Sequence, residues 1–135
     1  MISVKFLRER VREAHVRFEP TSKGTFQLEH NYSAQVHFTP DSKRALAVLD
    51  YQITDTDSNQ IEIHVILEGW FSLDGVESGT DRKVVNTKCF EQFFPYMEKH
   101  VKQMATMSGI VDLGIPKPKF DFDDIHIVEP TGIPS

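Results

Sequence analysis

CFEQFFPYMEKHVKQMATMSG, residues Cys89–Gly109, is the stretch on which the chain's architecture turns. From Pro95 onward, Met97, Val101, Met104 and Ala105 recur at helical spacing, and Phe90, Phe93 and Phe94 extend the stripe backwards. Proline is tolerated in the first turn of a helix. Pro95 therefore either starts the main helix or kinks a longer one whose first turns begin near Thr87. Glu98 and Lys102 form an i,i+4 pair on the outer face, and Gly109 is the expected C-cap. The apolar surface is wider than one stripe. One arc runs through Phe90, Phe94, Met97, Val101 and Met104, a neighbouring one through Cys89, Phe93, Tyr96, His100 and Met107. A helix lying on one sheet needs a stripe of roughly 100°. The second arc must be covered by something else, and a second copy of the chain is the economical candidate. Phe93, Tyr96, His100 and Met107 are then the expected oligomer interface. A ligand cavity between helix and sheet is the competing explanation.

Upstream, the pattern switches from a period of 3.6 to a period of two. Val11, Ala14, Val16 and Phe18 fit a strand with one slip in alternation, as a bulge produces. Ala34, Val36 and Phe38 alternate with Gln35 and His37 in a half-buried strand. Ala45, Ala47, Leu49, Tyr51 and Ile53 share one face of a third strand. Ile61, Ile63, Val65, Leu67 and Phe71 share one face of a fourth, with Glu62, His64, Ile66, Glu68 and Trp70 opposite. Short polar turns join these runs, which predicts a four-stranded antiparallel meander in an α+β fold, the long helix packed on one face. Four prolines follow Gly109, so a second helix is short or absent, and FDFDDIHIV reads as one helical turn or a strand. A single domain over residues 1–128 with a tail over 129–135 is expected.

Composition narrows the function. A chain of 135 residues buries roughly 68–70% of its unfolded surface, enough for a core without metals or disulfides. The lone Cys89 has no internal partner and suits a reducing cytoplasm. MISVKFLRERVRE holds no apolar run of signal-peptide length, and no later segment approaches the ~20 apolar residues of a membrane span. The formal charge is −5, and basic residues cluster only in a small N-terminal group, Lys5, Arg8, Arg10, Arg12 and Arg17. Neither nucleic-acid binding nor membrane insertion is expected.

With these elements in place, the chain resembles the SecB export-chaperone family. The resemblance is carried in order by AHVRFEPTSKGTFQLEHNYSAQVHF, VILEGWFSLDGVE, FFPYMEKHVKQMATMSG and FDFDD, over residues 14 to 124. Its landmarks here are Phe18-Glu19, Phe26-Gln27, Gly69, Phe71, Gly75-Val76-Glu77 and Phe94-Pro95-Tyr96. A SecB-like family of unassigned function in Gram-positive bacteria is the nearest fit. The resemblance implies a homo-oligomer, a dimer or a dimer of dimers, that holds unfolded or extended polypeptide in grooves lined by apolar residues. It implies no cofactor and no catalysis. Carried over, one groove wall includes Phe26 and Leu28, the other Ile110, Val111, Leu113 and Ile115, with Trp70 contributing a floor. The sequence departs from the family where His30 stands in place of a tryptophan, and in its tail VEPTGIPS. Glu62 and Glu68 offer charge where the family meets its export motor, but the unrelated tail weakens that link. An adaptor binding one specific protein partner is the alternative on the same fold.

Other chemistries fit less well. The six histidines are dispersed, without HxH or HxxxH spacing, so no metal site is expected. Glu62, His64 and Glu68 on one strand face could serve a small-ligand binder or an enzyme. A solvated sheet face gives the same alternation, and no nucleophile elbow, phosphate loop or acid–base dyad accompanies them. Asp121, Asp123 and Asp124 lack the glycine and terminal glutamate of a calcium loop.

Overall fold

Strict alternation produces four long strands. The computed structural model describes residues 2–19, 27–55, 60–77, 79–110, 113–115 and 125–128. In chain order the elements are β1 (Ser3–Phe18), β2 (Leu28–Phe38), β3 (Arg44–Asp55), β4 (Ile61–Asp74), α1 (Gly79–Met107) and β5 (Ile125–Val128). The sheet order is β1-β4-β3-β2-β5. The first four strands pair antiparallel, and β5 runs parallel to β2. The antiparallel sheet under one long helix is as expected, with two differences. Only β2, β3 and β4 form the meander; β1 sits beside β4 instead of β2. The segment IHIV is a fifth strand, which resolves its helix-or-strand ambiguity. The expected tail over 129–135 lies outside the described residues, as do Phe26, Val111, Asp121, Asp123 and Asp124.

The sheet has one dry face and one more polar, wetter face on which Leu46 and Glu68 are nonetheless buried. Ala45, Ala47, Leu49, Tyr51 and Ile53 of β3 and Ile61, Ile63, Val65, Leu67 and Phe71 of β4 are all buried beneath α1, as the alternation predicts. β1 slips register between Phe6 and Arg8 and again between Val11 and Glu13. Two bulges therefore stand where the sequence suggested one. They let a 16-residue edge strand follow the twist of β4.

α1 is longer than expected. It runs 29 residues from Gly79, eight before Thr87, and Pro95 lies inside it. Pro95 is exposed, so the Glu91 carbonyl loses its helical donor on the solvent side, where water can replace it. Asp81 in the first turn accepts a hydrogen bond from the Glu77 amide at 2.9 Å. The C-terminus closes as a Schellman motif. The Ile110 amide bonds the Ala105 carbonyl at 2.8 Å, the Gly109 amide bonds Thr106 at 3.1 Å, and Gly109 has a φ of 89°. The expected glycine cap is thus observed.

The two apolar arcs of α1 do not divide as the sequence suggested. Cys89 and Phe93 are fully buried within one copy, alongside Phe90, Phe94 and Met97. Phe93 lies against Gly69 of β4, where an added Cβ would approach its ring to 2.7 Å, and it meets Phe71 edge-on at 6.2 Å. Its place in an oligomer interface is therefore corrected: β4 offers a glycine at the one position where the ring must lie on the backbone. Tyr96 and His100 are also partly occupied by β1. Tyr96 stacks on Phe6 at 4.7 Å, and His100 Nε2 lies 3.2 Å from Glu9 Oε2. Met107 alone of the four is wide open, at 87% exposure.

Candidate functional site

The Schellman turn determines where the post-helix segment goes. By folding Ile110 back onto Ala105 it buries the isoleucine, which is 8% exposed, and sends Leu113 and Ile115 across the core, where both are half-buried. Ile110 is thus chiefly an anchor of the helix end, a correction to its placement among open groove residues. Leu28, at the start of β2, is half-buried against the same core. Lys102, Ala105, Thr106, Ile110 and Leu113 line a depression of about 200 Å³ beside the helix end. A more open one of about 560 Å³ adjoins it, lined by Lys102, Gln103, Thr106 and Met107. This mixed surface, apolar at Ala105, Met107, Ile110 and Leu113 and polar at Gln103, Thr106 and Lys102, the last paired to Glu98 at 3.6 Å, can hold apolar side chains and a carbonyl or carboxylate.

On the same side of the sheet, Leu28, His30 and Tyr32 share the helix-facing register of β2. His30 Nδ1 and the Tyr51 hydroxyl are 2.8 Å apart in a shared hydrogen bond. Burial lowers the pKa of His30. Burial, reinforced by Glu98 and Tyr32, pushes Tyr51 up to about 12. Both rings are therefore neutral near pH 7. Tyr32, 40% exposed, was missed by sequence reasoning. The signal was present: it is two residues before Ala34 in the same alternation, but the turn-rich residues before it obscured where β2 begins.

Trp70 is elsewhere. It lies on the wet face, paired in register with Arg8 and Leu46, under the Arg8 guanidinium at 4.3 Å and near that of Arg10 at 5.7 Å. Its role as a groove floor is corrected, because residues 69 and 71 face the helix and an intervening side chain must point away. The other wet-face candidates are engaged. Glu68 bonds Arg10 Nε at 3.0 Å, Glu62 pairs with Arg17 at 3.4 Å, and His64 Nε2 lies 2.7 Å from Asp50. The acids once suggested for an export motor are thus matched by β1 cations. Glu62 and His64 stand on an open sheet face with these partners, an arrangement of ordinary cross-strand pairs. Among the described residues no cluster of three or more metal-ligating side chains occurs, and no helix is long and apolar enough to cross a membrane.

Comparison with known proteins agrees with this architecture. No protein-family model matches the chain, and no curated protein sequence matches it. Among solved structures, the chain is similar to the SecB-like chaperone Rv1957 of Mycobacterium tuberculosis, solved in complex with a ChAD peptide from the Rv1956 HigA1 antitoxin. The TM-score is 0.68 at 9% sequence identity, covering 84% of this chain and 86% of that one. The chain therefore has a SecB-like fold, and at that identity the likeness speaks for the fold alone.

Proposed function

We propose that this chain is a non-catalytic polypeptide-binding protein, a holdase-type chaperone that works as an oligomer in a reducing cytoplasm. The observation that carries the reading is that Leu28, Leu113 and Ile115 are left half-buried against the core, with Leu113 lining an open depression at the helix end. The shared fold with a SecB-like chaperone solved with a bound peptide supports it. Each apolar side chain that a client buries there contributes up to about 1.5–3 kcal/mol when fully covered, and several weak grips add up across an oligomer. Self-association is supported by the edge strand β1. Leu7 and Val11 are exposed on it, and on α1 so are Met107 and Tyr96, the latter stacked on Phe6 of β1. Light scattering from an aggregating, unfolded client tests the reading: the protein suppresses aggregation at stoichiometric excess, and unchanged scattering refutes holdase activity.

A second reading keeps the fold and narrows the partner. The solved relative holds a peptide from one antitoxin, which favours an adaptor for a single protein. A pull-down that returns one dominant partner supports this version; a broad set of unfolded clients supports the first.

A further inference from the structure

The sheet ends on an unusual strand. β5 is four residues long, lies at the edge, and among the described residues is the only parallel strand, with Ile125, His126, Ile127 and Val128 in register with Ala34, Gln35, Val36 and His37. Parallel pairing is slightly weaker per residue than antiparallel, and strands this short are marginal on their own. β2 is 11 residues long, and β5 pairs with four of them. The two β2 residues at the Ile125 and Ile127 registers, Ala34 and Val36, belong to the buried face and are 4% and 0% exposed. The edge thus already carries an extended polypeptide with an apolar-polar-apolar sequence, Ile-His-Ile, and the main-chain groups of β2 are what hold it.

We propose that the β2 edge at Ala34–His37 is a strand-acceptor site for extended polypeptide, filled in cis by β5 and opened to a chain in trans when β5 leaves. The incoming segment runs parallel to β2, alternates apolar with polar residues, and adds main-chain hydrogen bonds to the side-chain burial at the helix end. This deepens the holdase reading and rests on it only where unfolded clients are concerned. A site filled in cis for most of the time binds in trans with an apparent affinity reduced by the open fraction.

The test uses the full chain in three forms: wild type, Ile127→Pro, and Gln35→Cys combined with His126→Cys. Proline removes an amide and disfavours the ladder. The paired cysteines stand at one register across neighbouring strands, a separation a disulfide can span. The probe is a labelled synthetic peptide of residues 119–130, KFDFDDIHIVEP, followed by anisotropy. Ile127→Pro is expected to bind it at least about tenfold more tightly than wild type. The oxidised cysteine pair is expected to lose binding and to regain it on reduction. Equal affinity in all three forms, or a lock without effect, overturns the proposal. A permanently unfolded protein is then titrated against the same forms. If it binds but ignores the lock, the edge is not where clients pair, and the proposal fails while the holdase reading stands. If it binds none of them, the holdase reading fails, and the peptide alone decides whether the edge accepts strands.

Discussion

His30 and Tyr51 form a polar pair held against an apolar core, and this makes them sensitive to acid. In the native chain burial keeps the His30 pKa below 6.5, whereas in the unfolded chain it returns to that value. The unfolded state therefore binds a proton first as pH falls, and the native state loses stability from about pH 7 downward, through the native pKa. Denaturant unfolding at pH 7.5 and 5.5 should show that His30→Gln, which keeps a hydrogen-bonding partner for Tyr51, loses less stability across this window than wild type. An identical loss in both proteins removes His30 as the source of the acid sensitivity. His30 also shows what sequence could not reveal. It stands among the turn-rich residues that hid the start of β2, its partner lies on the neighbouring strand, and no local pattern names a partner 21 residues away.

Between elements, the contact of α1 with β4 is set by Gly69 and Phe93. Replacing Gly69 with alanine places a methyl 2.7 Å from the ring. The helix must then shift or the ring must leave its rotamer, which costs about 1–3 kcal/mol. Gly69→Ala should lower the unfolding midpoint, and adding Phe93→Leu should recover part of the loss. A Gly69→Ala protein as stable as wild type means that the helix slides at no cost. This contact also explains why Phe93, read from the sequence as an interface residue, belongs to the core instead. A wide apolar arc signals that much surface must be hidden, but not what hides it. A glycine in β4 admits Phe93, and a bulged edge strand reaches up to Tyr96 and His100. The dry faces of β3 and β4 were legible because alternation is a local property. The place of β1 beside β4 was not, since antiparallel pairing is compatible with either neighbour.

For the molecule as a whole, the exposed apolar side chains Leu7 and Val11 on the edge strand predict association of copies along the β1 edge. Sedimentation should give a species heavier than the 15.5 kDa chain, and Leu7→Lys with Val11→Lys should shift it toward the monomer without loss of helix signal. A wild-type monomer at high concentration removes the oligomeric part of the proposal. The fold was legible as a whole because its landmarks are distributed along the chain, from Phe18-Glu19 to Phe94-Pro95-Tyr96. The residues proposed for the groove fall in different places: Leu28, Leu113 and Ile115 are half-buried against the core, Ile110 serves the helix cap, and Trp70 occupies the other face.

The most direct measurement is the equilibrium binding of a labelled, permanently unfolded protein to the wild-type chain and to a variant with Leu28, Leu113 and Ile115 all changed to serine. These side chains are already half-buried, so each loses only part of its burial energy, about 1 kcal/mol. Their combined removal should weaken binding by roughly a hundredfold, with helix content retained. Saturable binding by wild type that collapses in the triple variant is the predicted result; equal binding by both, or none by wild type, contradicts it.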